Sequence, residues 1–223
     1  LFHRILEAFR KPAMSCLAFA KGILCGSESV NILDDGSRAG NLVHAVHAAV
    51  LYTGGTTGTP KGVMLTHENI NTSAHNVAFS EHSTEADRAL CFLPFNHVFG
   101  QMHIMNATIM SAGCLEILPV FDLDLVFDIF ADGRVTKLFA VPTVYVRLLA
   151  VPDLRKKMGA VRYSFSAAAS MAAEIVRQWK ERTGLTIHEG YGLTESASAV
   201  TYNHYYRHVI GSIGTPVPGV ELQ

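Results

Sequence analysis

From Ala48 onward the chain alternates short apolar runs with longer amphipathic stretches, and this alternation constrains the fold more than any other feature. Residues 48–52, 88–93, 114–118, 137–141, 161–166 and 186–189 each read as a strand, and Pro94 and Pro119 stop the second and third of them. Between the strands lie helix signals. Thr66 is placed to cap a helix running to about His82, and another helix follows His97. Asp122 or Asp124 caps a helix containing Leu125, Val126, Ile129 and Phe130. Pro142 suits the first turn of the next, and the helix over 172–183 ends at Gly184. Strands alternating with helices of this length predict an α/β fold, layered around a largely parallel sheet. The apolar fraction of 49% supplies a core.

Residues 48–223 read as one core without internal repeats, low-complexity tracts or linkers, whereas 1–47 stay unassigned. Ile5, Leu6 and Phe9 suggest a short amphipathic helix there, and Asp34-Asp35-Gly36-Ser37 a turn. The chain starts at Leu1 and stops at Gln223 after an apolar-rich stretch, so we expect a fragment of something longer.

Net charge is −1, which leaves no electrostatic footprint for nucleic acid; any polyanion must be held by a local site. The apolar run 14–25 is interrupted by Lys21 and is too short to span a bilayer, and Glu7 and Lys21 suit a signal peptide poorly. Peripheral contact with a membrane stays open, as does the oligomeric state. Cys16, Cys25, Cys91 and Cys114 form no CxxC pair and no disulfide framework. They read as small buried hydrophobes of a reducing compartment, so the expected location is cytoplasmic.

The strongest local signal follows the first strand. Thr53-Gly54-Gly55-Thr56-Thr57-Gly58-Thr59-Pro60-Lys61-Gly62 holds four threonines, four glycines and a lysine in ten residues. Glycines let successive backbone N–H groups converge on one anion, threonine hydroxyls add donors, and Lys61 adds a mobile positive charge. Such a loop suits a polyphosphate. It is not the P-loop of kinases, because Lys61 follows Pro60 and precedes Gly62 rather than a Ser or Thr opening a helix.

A second cluster is Glu189-Gly190-Tyr191-Gly192-Leu193-Thr194-Glu195. Tyr191 offers a flat face for a base, the flanking glycines allow close backbone approach, and Thr194 offers a hydroxyl to a phosphate oxygen. Glu195 offers a hard oxygen to Mg²⁺, which takes few protein carboxylates. His204 and His208, four residues apart, have the spacing of metal ligands, but Tyr202, Tyr205, Tyr206 and Arg207 around them point to packing. His67-Glu68 and His188-Glu189 lack the second His of a zinc protease, and Ser196 and Ser198 lack a nucleophile-elbow setting.

The loop resembles the phosphate-binding signature of the adenylate-forming superfamily, which includes acyl-CoA synthetases, and 189–195 matches its second signature. Gly54 stands where the family usually has Ser. Leu93-Pro94-Phe95-Asn96-His97-Val98-Phe99-Gly100 is similar to the family segment at the acyl-binding wall, with His97 bordering the carboxylate. No Asp lies between Leu93 and Gln101, which argues against an amino acid substrate. Ser166-Ala167-Ala168-Ala169-Ser170 occupies the place of a small-residue segment between adenine and the acyl tunnel, and 211–219 resembles the segment that follows. The likeness covers about 48–223, with the motifs in family order.

The resemblance implies a ligase of the fatty-acyl-CoA synthetase type with ATP, Mg²⁺ and coenzyme A. A carboxylic acid, of the fatty-acid kind, attacks the α-phosphate of ATP to give acyl-AMP and pyrophosphate; a thiol then releases AMP. It assigns Thr53, Gly54, Gly55, Thr56, Thr57, Gly58 and Lys61 to the β- and γ-phosphates. Tyr191, with Glu189, Gly190, Gly192, Ala167 and Ala168, falls to the adenine side, Thr194 to the α-phosphate, Glu195 to Mg²⁺ and His97 to the acyl side. Three family elements are expected beyond Gln223: a ribose-gripping aspartate, a hinge, and a small domain with its lysine. The chain alone is therefore expected to bind ATP weakly and turn over little. The alternatives are a nucleotide-binding remnant without turnover, an acyl-AMP ligase, or a β-lactone-forming relative.

Overall fold

The computed structural model describes residues 47–54 and 60–222. Strands β1 (His47–Thr53) and β2 (Lys61–Thr66) form an antiparallel hairpin, with Thr53 opposite Lys61 and Tyr52 opposite Gly62. The glycine-threonine segment that reads as loop through Gly62 thus already becomes strand at Lys61. Val63 and Leu65 in fact turn inward while Gly62 and Met64 stay exposed, the alternation of a strand with one covered face.

Helix α1 (His67–Ser80) starts directly from β2. Thr66 Oγ1 accepts the Asn69 N–H at 3.1 Å and Asn69 Oδ1 accepts the Thr66 N–H at 3.0 Å, a reciprocal cap. After β3 (Arg88–Cys91) comes a π-helix, Phe99–Asn106, then α2 (Ala107–Met110) and β4 (Cys114–Ile117). Helix α3 (Leu123–Ala131) is capped by Asp122, whose Oδ1 accepts the N–H groups of Asp124 and Leu125 at 3.0 Å. Next are β5 (Lys137–Ala140), α4 (Pro142–Leu149) with Pro142 in its first turn, α5 (Leu154–Lys157) and β6 (Tyr163–Ser166). Helix α6 (Ala173–Thr183) ends on Gly184 at φ 75°, and β7 (Ile187–Leu193), β8 (Ser198–Tyr202) and β9 (Thr215–Pro216) complete the described elements.

Seven strands form one sheet in the order β4-β3-β5-β6-β7-β8-β9. From β4 to β7 every pair is parallel; β8 and β9 add antiparallel strands at one side. This is the layered α/β fold with a largely parallel sheet. Side chains alternate between two cores, as strand geometry requires. Leu90, Leu138 and Ala140 join Val126, Phe130, Tyr145, Leu148 and Trp179 from α3, α4 and α6 on one face. Ala89, Cys91, Phe139, Tyr163 and Phe165 face Phe99 and Ile104 of the π-helix on the other. A third cluster, Leu65, Val98, Met102 and Ala197, seats the hairpin against the sheet assembly.

Beneath the π-helix lies a buried charge network. Glu81, just past α1, takes Lys137 Nζ on one oxygen at 3.1 Å, and His103 Nε2 at 3.0 Å and the Tyr202 hydroxyl at 2.9 Å on the other. Asp87 receives Arg162 Nη2 at 2.6 Å, the Thr136 hydroxyl at 2.8 Å and the Thr84 N–H at 2.9 Å, with Lys137 Nζ at 3.8 Å. Burial alone would raise both carboxyls. Lys137 and the donors outweigh it and hold Glu81 and Asp87 below their ordinary values.

The cysteine expectation divides. Cys91 is a buried free thiol, pushed by burial to about 11, while Cys114 is disulfide-bonded. Among the described residues no helix is long and apolar enough to cross a membrane.

Two predictions come from the network. Removing Lys137 as Lys137→Met leaves buried carboxylates uncompensated, and urea unfolding should record a loss of about 3–5 kcal/mol. Carboxyls depressed in the folded state contribute stability above their unfolded values, near pH 4, and lose it as pH falls through the folded values. Thermal melts of the native chain should therefore steepen below about pH 4, and Glu81→Gln should flatten that limb.

Candidate functional site

Parallel α/β sheets place their clefts outside the carboxyl ends of the strands. The cavity found here follows that rule. It is walled by His97 and Phe99 beyond β3, by Phe165, Ala167 and Ala168 at the end of β6, and by Gly190, Tyr191 and Gly192 in β7. Six residues singled out in the sequence, His97, Ala167, Ala168, Gly190, Tyr191 and Gly192, thus share one wall. His103, Ser198, Ala199 and Thr201 complete it and were not anticipated.

The glycine pair lies inside a strand that runs further than the expected 186–189. β7 does not stop at Glu189; it runs through Gly190-Tyr191-Gly192 to Leu193 and pairs antiparallel with β8. A Cβ on Gly192 would sit 1.7 Å from the Ser198 carbonyl oxygen, and one on Gly190 would sit 2.8 Å from Phe165 Cζ and 2.9 Å from the Thr201 oxygen. The two backbones therefore approach closely only because both side chains are missing. Between the glycines Tyr191 stays 45% exposed, with its N–H donating to Thr201 Oγ1 at 3.3 Å.

Beyond Leu193 the chain makes a 3₁₀ turn, Thr194–Ser196. Ser196 Oγ accepts the Leu193 N–H at 3.0 Å and lies 2.9 Å from the Ser198 carbonyl, to which it can donate; the Ala197 N–H returns to Thr194 O at 3.1 Å. Ala197 and Ser198 hold φ of 54° and 113°, values that residues with a Cβ rarely adopt. The turn presents Glu195 to solvent, with no hydrogen-bond or ion-pair partner among the described residues.

Thr194, Glu195 and Lys61 are not on the cavity wall itself. The turn carrying Thr194 and Glu195 follows directly on Gly192 and Leu193 and touches β2, the strand that Lys61 opens. Leu65 of β2 and Ala197 after the turn meet in one apolar cluster with Val98 and Met102. Lys61 is exposed, Thr53 half-buried and Gly54 exposed, with no atom of the described residues within 4 Å of an added Cβ at Gly54. Gly55, Thr56, Thr57, Gly58 and Thr59 lie outside the described residues.

Glu189 is buried rather than in the cleft. Burial raises its carboxyl, which the Gly211 N–H partly offsets, and Oε2 has no partner among the described residues. His97 is exposed, and its Nδ1 accepts the Phe99 N–H at 3.1 Å, which leaves the proton on Nε2. His103 is buried between aromatic rings, stacked 4.4 Å from Phe165. His204 and His208 flank a short 3₁₀ turn; the first stacks on Tyr206 and the second donates to the Ile187 carbonyl at 3.0 Å.

Comparison with known proteins adds the following. The family model described as AMP-binding enzyme matches residues 29–223. A long-chain-fatty-acid–CoA ligase of Bacillus subtilis is 36% identical over 179 residues, which are 78% of this chain and 32% of that protein. The mitochondrial malonate–CoA ligase ACSF3 of Bos taurus is 32% identical over 191 residues, 79% of this chain and 33% of that one. Among solved structures, ATP-bound MatB from Rhodopseudomonas palustris superposes with a TM-score of 0.73 at 37% identity, over 78% of this chain and 34% of that chain. The chain spans about a third of the length of the curated relatives it matches.

The close approach of β7 and β8 is testable. Gly192→Ala should cost at least about 2 kcal/mol in urea unfolding, because backbone must move to admit the methyl group. Unchanged stability would contradict the pairing described.

Proposed function

The chain belongs to the AMP-binding enzyme family, and on that footing we propose that 48–223 is the adenylation core of an ATP-dependent acid–thiol ligase. In the whole enzyme a carboxylate attacks the α-phosphate of ATP, forming acyl-AMP and releasing pyrophosphate. The thiol of coenzyme A then takes the acyl group and AMP leaves.

The observation that carries this reading is the shared seat of hairpin and turn. The strand that Lys61 opens meets the turn that carries Glu195, and Val98 belongs both to the apolar cluster beneath them and to the cavity wall that holds Tyr191. An exposed cation, a carboxylate without a partner among the described residues and an exposed aromatic face match a magnesium-bound adenine nucleotide. In this assignment Tyr191 stacks adenine, with Ala167, Ala168, Gly190 and Gly192 shaping the contact. Thr53 to Lys61 hold the β- and γ-phosphates, and Thr194 orients the α-phosphate. Glu195, an exposed hard oxygen ligand on the turn that meets β2, suits Mg²⁺, which takes one or two carboxylates plus phosphate oxygens and water. The metal would neutralise phosphate charge. The buried position of Glu189 supports a structural role under the glycine pair rather than contact with the nucleotide. Adenylation brings anion to anion, so alignment and charge neutralisation are what these residues contribute.

His97 Nε2–H is available to the substrate carboxylate at the acyl side. The apolar wall of Val98, Phe99, Phe165 and Ala199 supports a fatty acid, as does likeness to a long-chain ligase. A short polar acid is the second reading. It is favoured by His103 on the same wall and by likeness to malonate ligases.

Glu195→Gln should lower the Mg²⁺-dependent affinity for ATP about tenfold, the equivalent of 1.4 kcal/mol, in calorimetric titrations with and without EDTA. An unchanged affinity would remove Glu195 from the site.

A further inference from the structure

Helix α1 connects the two halves of the proposed nucleotide site, and one of its side chains makes the link. The helix leaves β2 at the Thr66 cap, five residues from the end at which Lys61 stands. Half-way along, Ser73 Oγ donates to the Ala197 carbonyl at 2.7 Å, across 124 residues of sequence. Both partners are buried, Ser73 at 6% and Ala197 at 2% exposure. One turn further on, Asn76 Nδ2 donates to the Pro218 carbonyl at 3.0 Å, so the polar seam of α1 faces this side of the sheet.

Ala197 is the strained residue two positions after Glu195. A left-handed residue with a Cβ persists only where its surroundings hold it. The bonds made by Ser196 and by the Ala197 N–H lie within the turn and move with it. The bond from Ser73 instead fixes the turn to the helix that grows out of the phosphate-loop hairpin. We propose that Ser73 is a positioning residue: it sets the reach between Lys61 and the Glu195 carboxylate, and so governs the magnesium-dependent part of nucleotide binding. The inference rests on the proposed role of Glu195 as a metal ligand. Without the hydroxyl, the buried Ala197 carbonyl loses its donor, the turn relaxes, and Glu195 swings away from the phosphates.

The test measures how much Mg²⁺ tightens ATP binding to the full chain, by titration in MgCl₂ and in EDTA. Ser73→Ala should reduce that gain about fivefold, the scale of one neutral hydrogen bond. Affinity in EDTA should stay within about twofold. Ser73→Thr, which keeps the hydroxyl, should restore the gain. Ser73→Cys, nearly isosteric but a weaker donor, should fall between, and it serves if Ser73→Ala does not fold. A full gain in Ser73→Ala or Ser73→Cys, alongside a lost gain in Glu195→Gln, would overturn the positioning role while leaving the metal role standing. A full gain in Glu195→Gln would overturn both. An equal loss with and without Mg²⁺ in the Ser73 variants would also overturn it, as the mark of a merely structural bond.

Discussion

The contact between the backbones of β7 and β8 is the constraint from which the site follows. At Gly192 the neighbouring strand's carbonyl occupies the space of a side chain. That closeness lets β7 outrun the parallel part of the sheet and continue as an antiparallel arm. The arm sets Tyr191 at the cavity mouth and ends in the turn that carries Thr194 and Glu195. The turn in turn meets β2 and closes over Leu65, Val98 and Met102. Local glycine chemistry thereby decides where two segments more than a hundred residues apart come together.

The buried charges have a different task. Glu81, Lys137 and Asp87 are almost fully enclosed, and their desolvation is offset only while every partner is in place. The network ties the end of α1, the start of β5 and the hydroxyl of Tyr202 in β8 to one another. It also takes up one ring nitrogen of His103, which reaches the cavity from the π-helix. Folded-state charge and cavity chemistry are therefore linked through a single imidazole.

Much of this was legible in the sequence where a residue has one local physical role. Thr66, Asp122, Pro142 and Gly184 mark helix ends because caps, a fixed φ and a left-handed φ are local demands, and each stands where it was expected. The glycine-rich and tyrosine-glutamate segments stood out for the same reason. What was missed depends on distant partners. β2 opens on Lys61-Gly62 and β8 follows the left-handed Ala197, so neither shows the uninterrupted apolar run that marks the other strands. The π-helix uses i→i+5 bonds that no residue type announces, which hid His103 behind His97. Ser73 looks like any helical serine until its acceptor, 124 residues on, is known. Glu189 read as part of the site by its place in a motif, and the structure buries it in β7 beside buried Ile187 and His188.

A crystal structure of the chain with magnesium and a non-hydrolysable ATP analogue would test the central claim most directly. The account predicts adenine against the Tyr191 ring, the terminal phosphates beside Lys61, and a magnesium ion whose protein ligand is Glu195. A nucleotide bound elsewhere, or one that reaches Tyr191 with its phosphates pointing away from the β1–β2 hairpin, would contradict it.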